Sequence, residues 1–221
     1  MKKTVIIVDY GLGNIVSAQQ SFIKVVQDNS LDIDVIISSD PEKIRSSSYI
    51  VLPGQGAFQS CMDGLNNIDG MVDALEQCVL KNKIPFLGIC VGMQLLADES
   101  YENGKHKGLG WIKGSIKKLS GPNIKLPHMG WNNVEILESF SKMIFSKENQ
   151  DFYFVHSYYF ECLNQKNVIG STEYGLNFAS IVGKENIYGV QFHPEKSSAQ
   201  GLQLIKNFLS IWLLTQKKKL A

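Results

Sequence analysis

The sequence predicts an α/β fold: an open, mostly parallel sheet with helices on both faces and an antiparallel excursion at one edge. Three observations lead there. Short, continuous, β-branched apolar runs alternate with stretches of helical periodicity in the first part of the chain. Strands buried on both faces of a parallel sheet read in that way. The runs stop at turn residues such as Gly11 and Gly13, or Pro53 and Gly54. From 108 to about 134 the pattern changes to glycines, prolines and short strands without helical periodicity.

The elements follow in order. Residues 4–9 form the first strand, ended by Gly11 and Gly13, and a helix runs over 15–27. Residues 34–38 form a second strand ahead of Pro41, and 49–52 a third that stops at Pro53-Gly54. A helix covers 70–82, and the apolar run 85–89 leads into Cys90, with a helix beginning near Met93. Right-handed crossovers leave such a βα alternation little topological freedom. After the edge excursion come strands at 152–155, 168–171, 178–182 and 188–192. An amphipathic helix over 199–214 closes the chain, with Leu202, Ile205, Phe208, Leu209 and Trp212 at helical spacing. No repeat, low-complexity segment or linker interrupts the series, so residues 1–221 are expected to form a single domain.

Composition narrows the function. A chain of 221 residues can bury a full core. Its formal net charge is +1, with no basic stripe. Lys117 and Lys118 read as a strand end, and Lys217, Lys218 and Lys219 as a solvated tail. Nucleic acid, which demands clustered cations, is not an expected partner. The apolar run at 5–8 is broken by Asp9 and is far too short for a signal peptide, and no stretch approaches a transmembrane span. The four cysteines, Cys61, Cys78, Cys90 and Cys162, show neither CxxC nor Cys/His metal spacing. A cytoplasmic protein with reduced thiols, no metal and no cofactor is the expectation.

One cysteine stands apart. Gly88-Ile89-Cys90-Val91-Gly92 lies where a buried strand meets a helix, the elbow pattern in which flanking glycines let the chain turn sharply and present the central side chain. Free N–H groups at a helix start would favour a thiolate and could hold an oxyanion. The plainer reading of any cysteine is a small buried hydrophobe, and Cys61, Cys78 and Cys162 are assigned to packing.

A base follows another apolar strand, in Gln191-Phe192-His193-Pro194-Glu195. Pro194 keeps His193 out of helix, and residues two apart in extended chain point the same way. Glu195 could therefore orient the His193 imidazole, as the third member does in a triad. A histidine after a strand is more often structural. Zinc deaminases also use H-x-E, but they need a later P-C-x-x-C that this chain lacks.

Together, GICVGMQLL at 88–96 and GVQFHPE at 189–195 resemble the class I, triad-type glutamine amidotransferases. The resemblance implies a flavodoxin-like fold, glutamine as substrate, a γ-glutamyl thioester on Cys90, and His193 and Glu195 as its triad partners. DYGLGNI at 9–15, PGQGAF at 53–58, LPHMGWN at 126–132, YFVHSYY at 153–159 and HPEKS at 193–197 extend it over nearly the whole chain. These motifs are similar to the branch of the family that feeds ammonia to a (β/α)8-barrel cyclase subunit in histidine biosynthesis, as a heterodimer.

Residue by residue, the resemblance implies an oxyanion strand at Pro53-Gly54-Gln55-Gly56, with backbone N–H donors from Gln55 and Val91. Glycines on both sides would let the peptide at Gln55 flip between orientations. Valine is common in the family where Gln55 stands, a departure of small consequence if only the main chain acts. Gly54, Gly56, Gln94, Glu102, His156, Ser157 and Tyr158 match glutamine-binding positions. Without the family, Gln94 is an ordinary helix residue and Glu102 an exposed loop charge. Asn14, His128, Met129, Trp131, Tyr153 and Lys196 match positions that face the synthase partner; their plain readings are a turn Asn, an exposed His, core Met and aromatics, and a solvated lysine. Two other functions stay open on sequence: a paralogue that supplies ammonia for amidine formation on surface sugars, and a non-catalytic regulatory subunit, against which the intact triad argues.

Overall fold

The structure is a computed structural model and describes residues 2–137 and 150–219, with side chains through residue 211. The first strands are the β-branched runs: β1 (Lys3–Val8), β2 (Ile33–Ser38), β3 (Tyr49–Gly54) and β4 (Phe86–Cys90). Every residue of β3 and β4 is buried, which is why their sequences are apolar without alternation. Helix α1 (Ile15–Asp28) joins β1 to β2, and its Phe22 meets Phe208 of the closing helix α6 (Ser198–Lys219) edge to face at 6.4 Å. Phe208 also packs on Tyr49 of β3 at 5.8 Å, and the Tyr49 hydroxyl donates to the Leu209 carbonyl at 2.6 Å.

Two helices are absent from the sequence reading. The five-residue α2 (Pro41–Arg45) carries a local signal: Asp40 accepts from the Glu42 N–H, and Pro41 fills the first turn. Helix α3 (Phe58–Asn66) has no such signal, because its N-cap is Ala57. The carboxylate of Glu102 does the capping instead, accepting from the Phe58 N–H at 2.7 Å from 44 residues away. The helix expected over 70–82 is α4 (Met71–Glu76) running into a π-turn, Gln77–Lys81.

The helix after Cys90 differs most from expectation. Helix α5 (Val91–Gln94) is 4 residues long. It stops because the carbonyls that would extend it are taken by the following loop. Leu95 O accepts from Leu109 N–H, Leu96 O from Ile112 N–H and Ala97 O from Gly110 N–H, at 2.8–3.0 Å.

The remaining strands are β5 (Glu99–Ser100), β6 (His106–Lys107), β7 (Gly114–Lys118), β8 (His128–Ile136), β9 (Gln150–His156), β10 (Tyr158–Cys162), β11 (Val168–Glu173), β12 (Asn177–Lys184) and β13 (Ile187–Val190). The sheet runs β2-β1-β3-β4-β13-β12-β10-β7-β5-β6. Its first five strands are parallel, and β12 turns the direction. The fold class is the expected one, although the antiparallel part takes in β8 to β12 as well as the 108–134 segment. Strand β8 pairs with β9 and β11 as a side branch.

Among the described residues no helix is long and apolar enough to cross a membrane, and no cluster of His, Cys, Asp and Glu could hold a metal ion. Cys61, Cys78 and Cys162 are buried, as packing residues should be. The expectations for Trp212 and for Lys217, Lys218 and Lys219 concern side chains outside the described residues.

Candidate active site

Cys90 ends β4 in a conformation that few non-glycine residues adopt, with φ at 55° and ψ at −112°. The sharp turn therefore strains the cysteine itself, at a cost on the order of 1–3 kcal/mol, and not the glycines beside it. Those glycines do a different job. A Cβ on Gly92 would lie 1.9 Å from the Leu52 carbonyl oxygen, one on Gly88 would lie 2.5 Å from the Gly92 oxygen, and one on Gly54 would lie 2.5 Å from the Gly92 nitrogen. Three glycines on two strands and a turn thus interlock, and they hold the elbow against β3. With 4 residues α5 offers little macrodipole, so of the help expected from a helix start the free N–H groups are what remains.

His193 supplies the local charge instead. It follows β13, which lies next to β4 in parallel register. Its φ of −102° and ψ of 99° are the extended backbone that Pro194 imposes. Beyond it the chain does not stay extended. Pro194–Lys196 forms a 3-10 turn that brings the Glu195 carboxylate back to His193 Nδ1 at 2.8 Å. Both side chains are 4% exposed. The other ring nitrogen, Nε2, is buried with no hydrogen-bond partner among the described residues. Burial opposes charge on the imidazole, but Cys90 and Glu195 outweigh it and raise its pKa to about 10. The shift favours a proton on the ring, from where it can be delivered to a leaving group.

The main chain fixes this segment firmly. Tyr153 O of β9 accepts from the His193 N–H at 2.9 Å, Tyr153 N–H donates to Ser197 Oγ at 3.0 Å, and Ser197 Oγ donates to His193 O at 2.6 Å. Ser197 is fully buried; the sequence offered it only as the last residue of HPEKS, with no role.

Cys90 and His193 open into a cleft of about 280 Å³, lined also by Gln55, Gly56, Val91, Gln94, Glu102, Pro127, Val155, His156, Ser157 and Tyr158. Every expected glutamine-binding residue except Gly54 lines it. Gly54 lies behind the wall, packed against Val91 and Gly92. Of the two glycines around Gln55, only Gly56 is open, with φ at 103° and nothing within 4 Å of a Cβ. The freedom therefore lies at the peptide that carries the Gln55 carbonyl, while the peptide that carries its N–H joins the hemmed-in Gly54. On the Gly54 side, Tyr10 OH donates to Pro53 O at 2.6 Å; the Cys61 thiol donates to Gln55 O, in the Gln55–Gly56 peptide, at 3.6 Å. A larger cleft of about 810 Å³ beside β8 and β11 is lined by Lys125, Asn133, Glu135, Glu173 and Tyr174 among others, with neither cysteine nor histidine. Size alone does not mark the site.

A family model described as "Glutamine amidotransferase class-I" matches residues 7–212. The chain belongs to the class-I glutamine amidotransferase family. Curated relatives agree. A Rhodospirillum rubrum protein named "Imidazole glycerol phosphate synthase subunit HisH" is 45% identical over 93% of this chain and 97% of its own. A Pelagibacter ubique protein of the same name is 46% identical, over 94% and 99%. The crystal structure of a glutamine amidotransferase from Thermotoga maritima superposes with a TM-score of 0.61 at 17% identity, covering 99% of this chain and 86% of that one, a likeness of fold. The protein is thus a glutamine amidotransferase enzyme.

Residues expected to face a synthase partner separate into two groups in this amidotransferase. Met129 and Trp131 are 62% and 53% exposed on β8, not in the core as their plain reading had it, and Lys196 is exposed beside the triad. Trp131 rests edge-on against Tyr153 at 6.2 Å, directly opposite it in the strand pairing. Asn14 instead caps α1, its side chain accepting from the Ser17 N–H at 3.4 Å. His128 corrects its plain reading as an exposed residue, since it is 3% exposed. It is stacked between Tyr174 at 4.0 Å and Phe154 at 4.8 Å. Glu102, read alone as an exposed charge, is half-buried and caps α3 with one oxygen.

Proposed function

We propose that this chain is the glutaminase subunit of an imidazole glycerol phosphate synthase, acting in the cytoplasm as one amidotransferase domain over residues 1–221. It would hydrolyse glutamine to glutamate and pass the ammonia to a (β/α)8-barrel cyclase that makes imidazole glycerol phosphate and aminoimidazole carboxamide ribotide. The observation that carries the catalytic part is the buried His193–Glu195 contact of 2.8 Å beside Cys90, in one cleft with the glutamine-binding positions. The subunit names of the relatives carry the pathway.

Cys90 Sγ attacks the side-chain amide carbon of glutamine, forming the C–S bond and an oxyanion. The N–H groups of Val91 and Gln55 are the donors for that oxyanion. The His193 proton passes to the amide nitrogen, the C–N bond breaks, and ammonia leaves a γ-glutamyl thioester. Water then attacks the thioester as His193 takes its proton, and glutamate and the thiol are regenerated. One absent oxyanion donor costs on the order of 10²–10³-fold in rate. The open Gly56 beside Gln55 therefore supports partner-driven gating of the strand. Ammonia must stay neutral to react, so its route has to exclude water. The exposed Trp131 and Met129 next to the triad suit such a sealed docking face.

The test is synthesis by the chain mixed with a barrel cyclase. Cys90→Ala should abolish glutamine-dependent product formation and leave formation from added ammonium salt intact. Undiminished glutamine-dependent turnover in that variant would overturn the triad. Failure of the pair to form imidazole glycerol phosphate from either nitrogen source would overturn the pathway.

A further inference from the structure

Gln191 has so far been given no task, yet it is a polar side chain beside the nucleophile with no exposure at all. A buried amide is costly unless its ends are bonded. Both are: Oε1 accepts from Gln94 Nε2 at 3.0 Å, and Nε2 donates to Cys90 Sγ at 3.8 Å.

The direction of this amide is forced by its neighbours. Gln94 Nε2 also donates to the Tyr158 carbonyl at 3.0 Å, so turning the Gln94 amide over would set its oxygen against that carbonyl. With nitrogen facing Gln191, Gln94 demands the Gln191 oxygen. Only the Gln191 nitrogen is then left for the sulfur. The Tyr158 carbonyl is itself held by His156 Nδ1 at 2.9 Å, so the arrangement is anchored in β9 and β10.

We propose that Gln191 is a positioning residue for the amidotransferase reaction: its N–H, aimed by Gln94, holds the Cys90 sulfur in one rotamer facing the cleft. This rests on the reading of Cys90 as nucleophile. A hydrogen bond to an acceptor that gains negative charge is roughly twice as strong as one to a neutral acceptor, so the contact tightens on the sulfur as it reacts. Burial removes the water that would otherwise compete for the sulfur. The strained elbow sets the direction in which the side chain leaves the backbone, and Gln191 fixes its final torsion.

The experiment follows alkylation of Cys90 by iodoacetamide in the full chain, read at that cysteine by peptide mass, together with glutamine hydrolysis in the presence of the cyclase. Gln191→Met fills the space without an N–H donor. It should slow alkylation and lower kcat by about 10- to 100-fold, the value of a hydrogen bond to a charged group, with KM within about twofold. Gln191→Asn keeps a buried amide but withdraws it by one methylene, and should show the same loss; it carries the test if the Met variant does not fold. Melting curves establish folding for each. Alkylation and kcat within about twofold of wild type in either folded variant would overturn the proposal. So would a loss confined to KM, which would make Gln191 a wall of the glutamine site. Cys90→Ala is the parallel arm. If that variant hydrolyses glutamine normally, the nucleophile reading has failed, whatever Gln191 does.

Discussion

His128 Nδ1 lies 3.0 Å from His156 Nε2, and only one placement of protons satisfies both rings. His156 Nδ1 must donate to the Tyr158 carbonyl, which leaves its Nε2 as acceptor. His128 must then donate from Nδ1, and its Nε2 accepts from Asn132 Nδ2 at 3.2 Å. A one-way chain of neutral rings thus runs from β8, which carries exposed Trp131, to the carbonyl that orients Gln94.

This chain should be sensitive to acid. Burial lowers the pKa of His128 to about 4 and that of His156 to about 3. An unfolded histidine titrates near 6.5. Below that pH the unfolded chain binds protons that the folded rings refuse, so stability is full above 6.5 and falls towards pH 4. His193 has the opposite sign. Its raised pKa contributes stability below 6.5 that is lost as pH climbs through about 10, so it adds no slope in the acid window. His128→Phe keeps the stacking and removes one titrating ring. Unfolding free energies measured in denaturant from pH 7 to 4 should fall less steeply in this variant, by up to about 1.4 kcal/mol per pH unit. Parallel slopes for variant and wild type would count against the buried neutral pair.

Two glycine substitutions should separate fold from catalysis. Gly92→Ala places a Cβ 1.9 Å from the Leu52 oxygen, a backbone atom that cannot move aside. Loss of soluble protein, or a destabilisation above about 4 kcal/mol, is expected. Gly56→Ala meets no neighbour, and its φ of 103° makes the cost conformational. That variant should fold, with stability lower by about 1–3 kcal/mol, while partner-stimulated glutaminase activity drops by at least about tenfold through loss of one oxyanion orientation. Circular dichroism and ammonia release distinguish the two. A folded Gly92→Ala protein with wild-type stability would refute the interlocked elbow.

Trp131→Ala tests the docking face. Trp131 is half exposed and touches Tyr153, so its removal should leave the melting temperature almost unchanged. Loss of a tryptophan anchor at an interface costs about 2 kcal/mol or more, so affinity for the cyclase should fall roughly 30-fold. Titration calorimetry reads this directly. Equal affinity for both forms would place the docking face elsewhere.

By itself the sequence determined the α/β class, the elbow at Cys90 and the partnership of His193 with Glu195. Those features are local: apolar runs, a G-x-C-x-G turn and a proline that keeps one residue extended all act within a few positions along the chain. Tertiary structure alone decided what depends on residues far apart. Helix α3 is capped by Glu102 from 44 residues away, and α5 stops because a loop takes its carbonyls. The burial of His128, and the pairing of Gln94 with Gln191 across 97 residues that brings Gln191 to Cys90, arise where strands from different parts of the sheet meet. A hydrogen bond has no sequence period when its two ends come from different strands, so those relationships became visible only once the strands lay side by side.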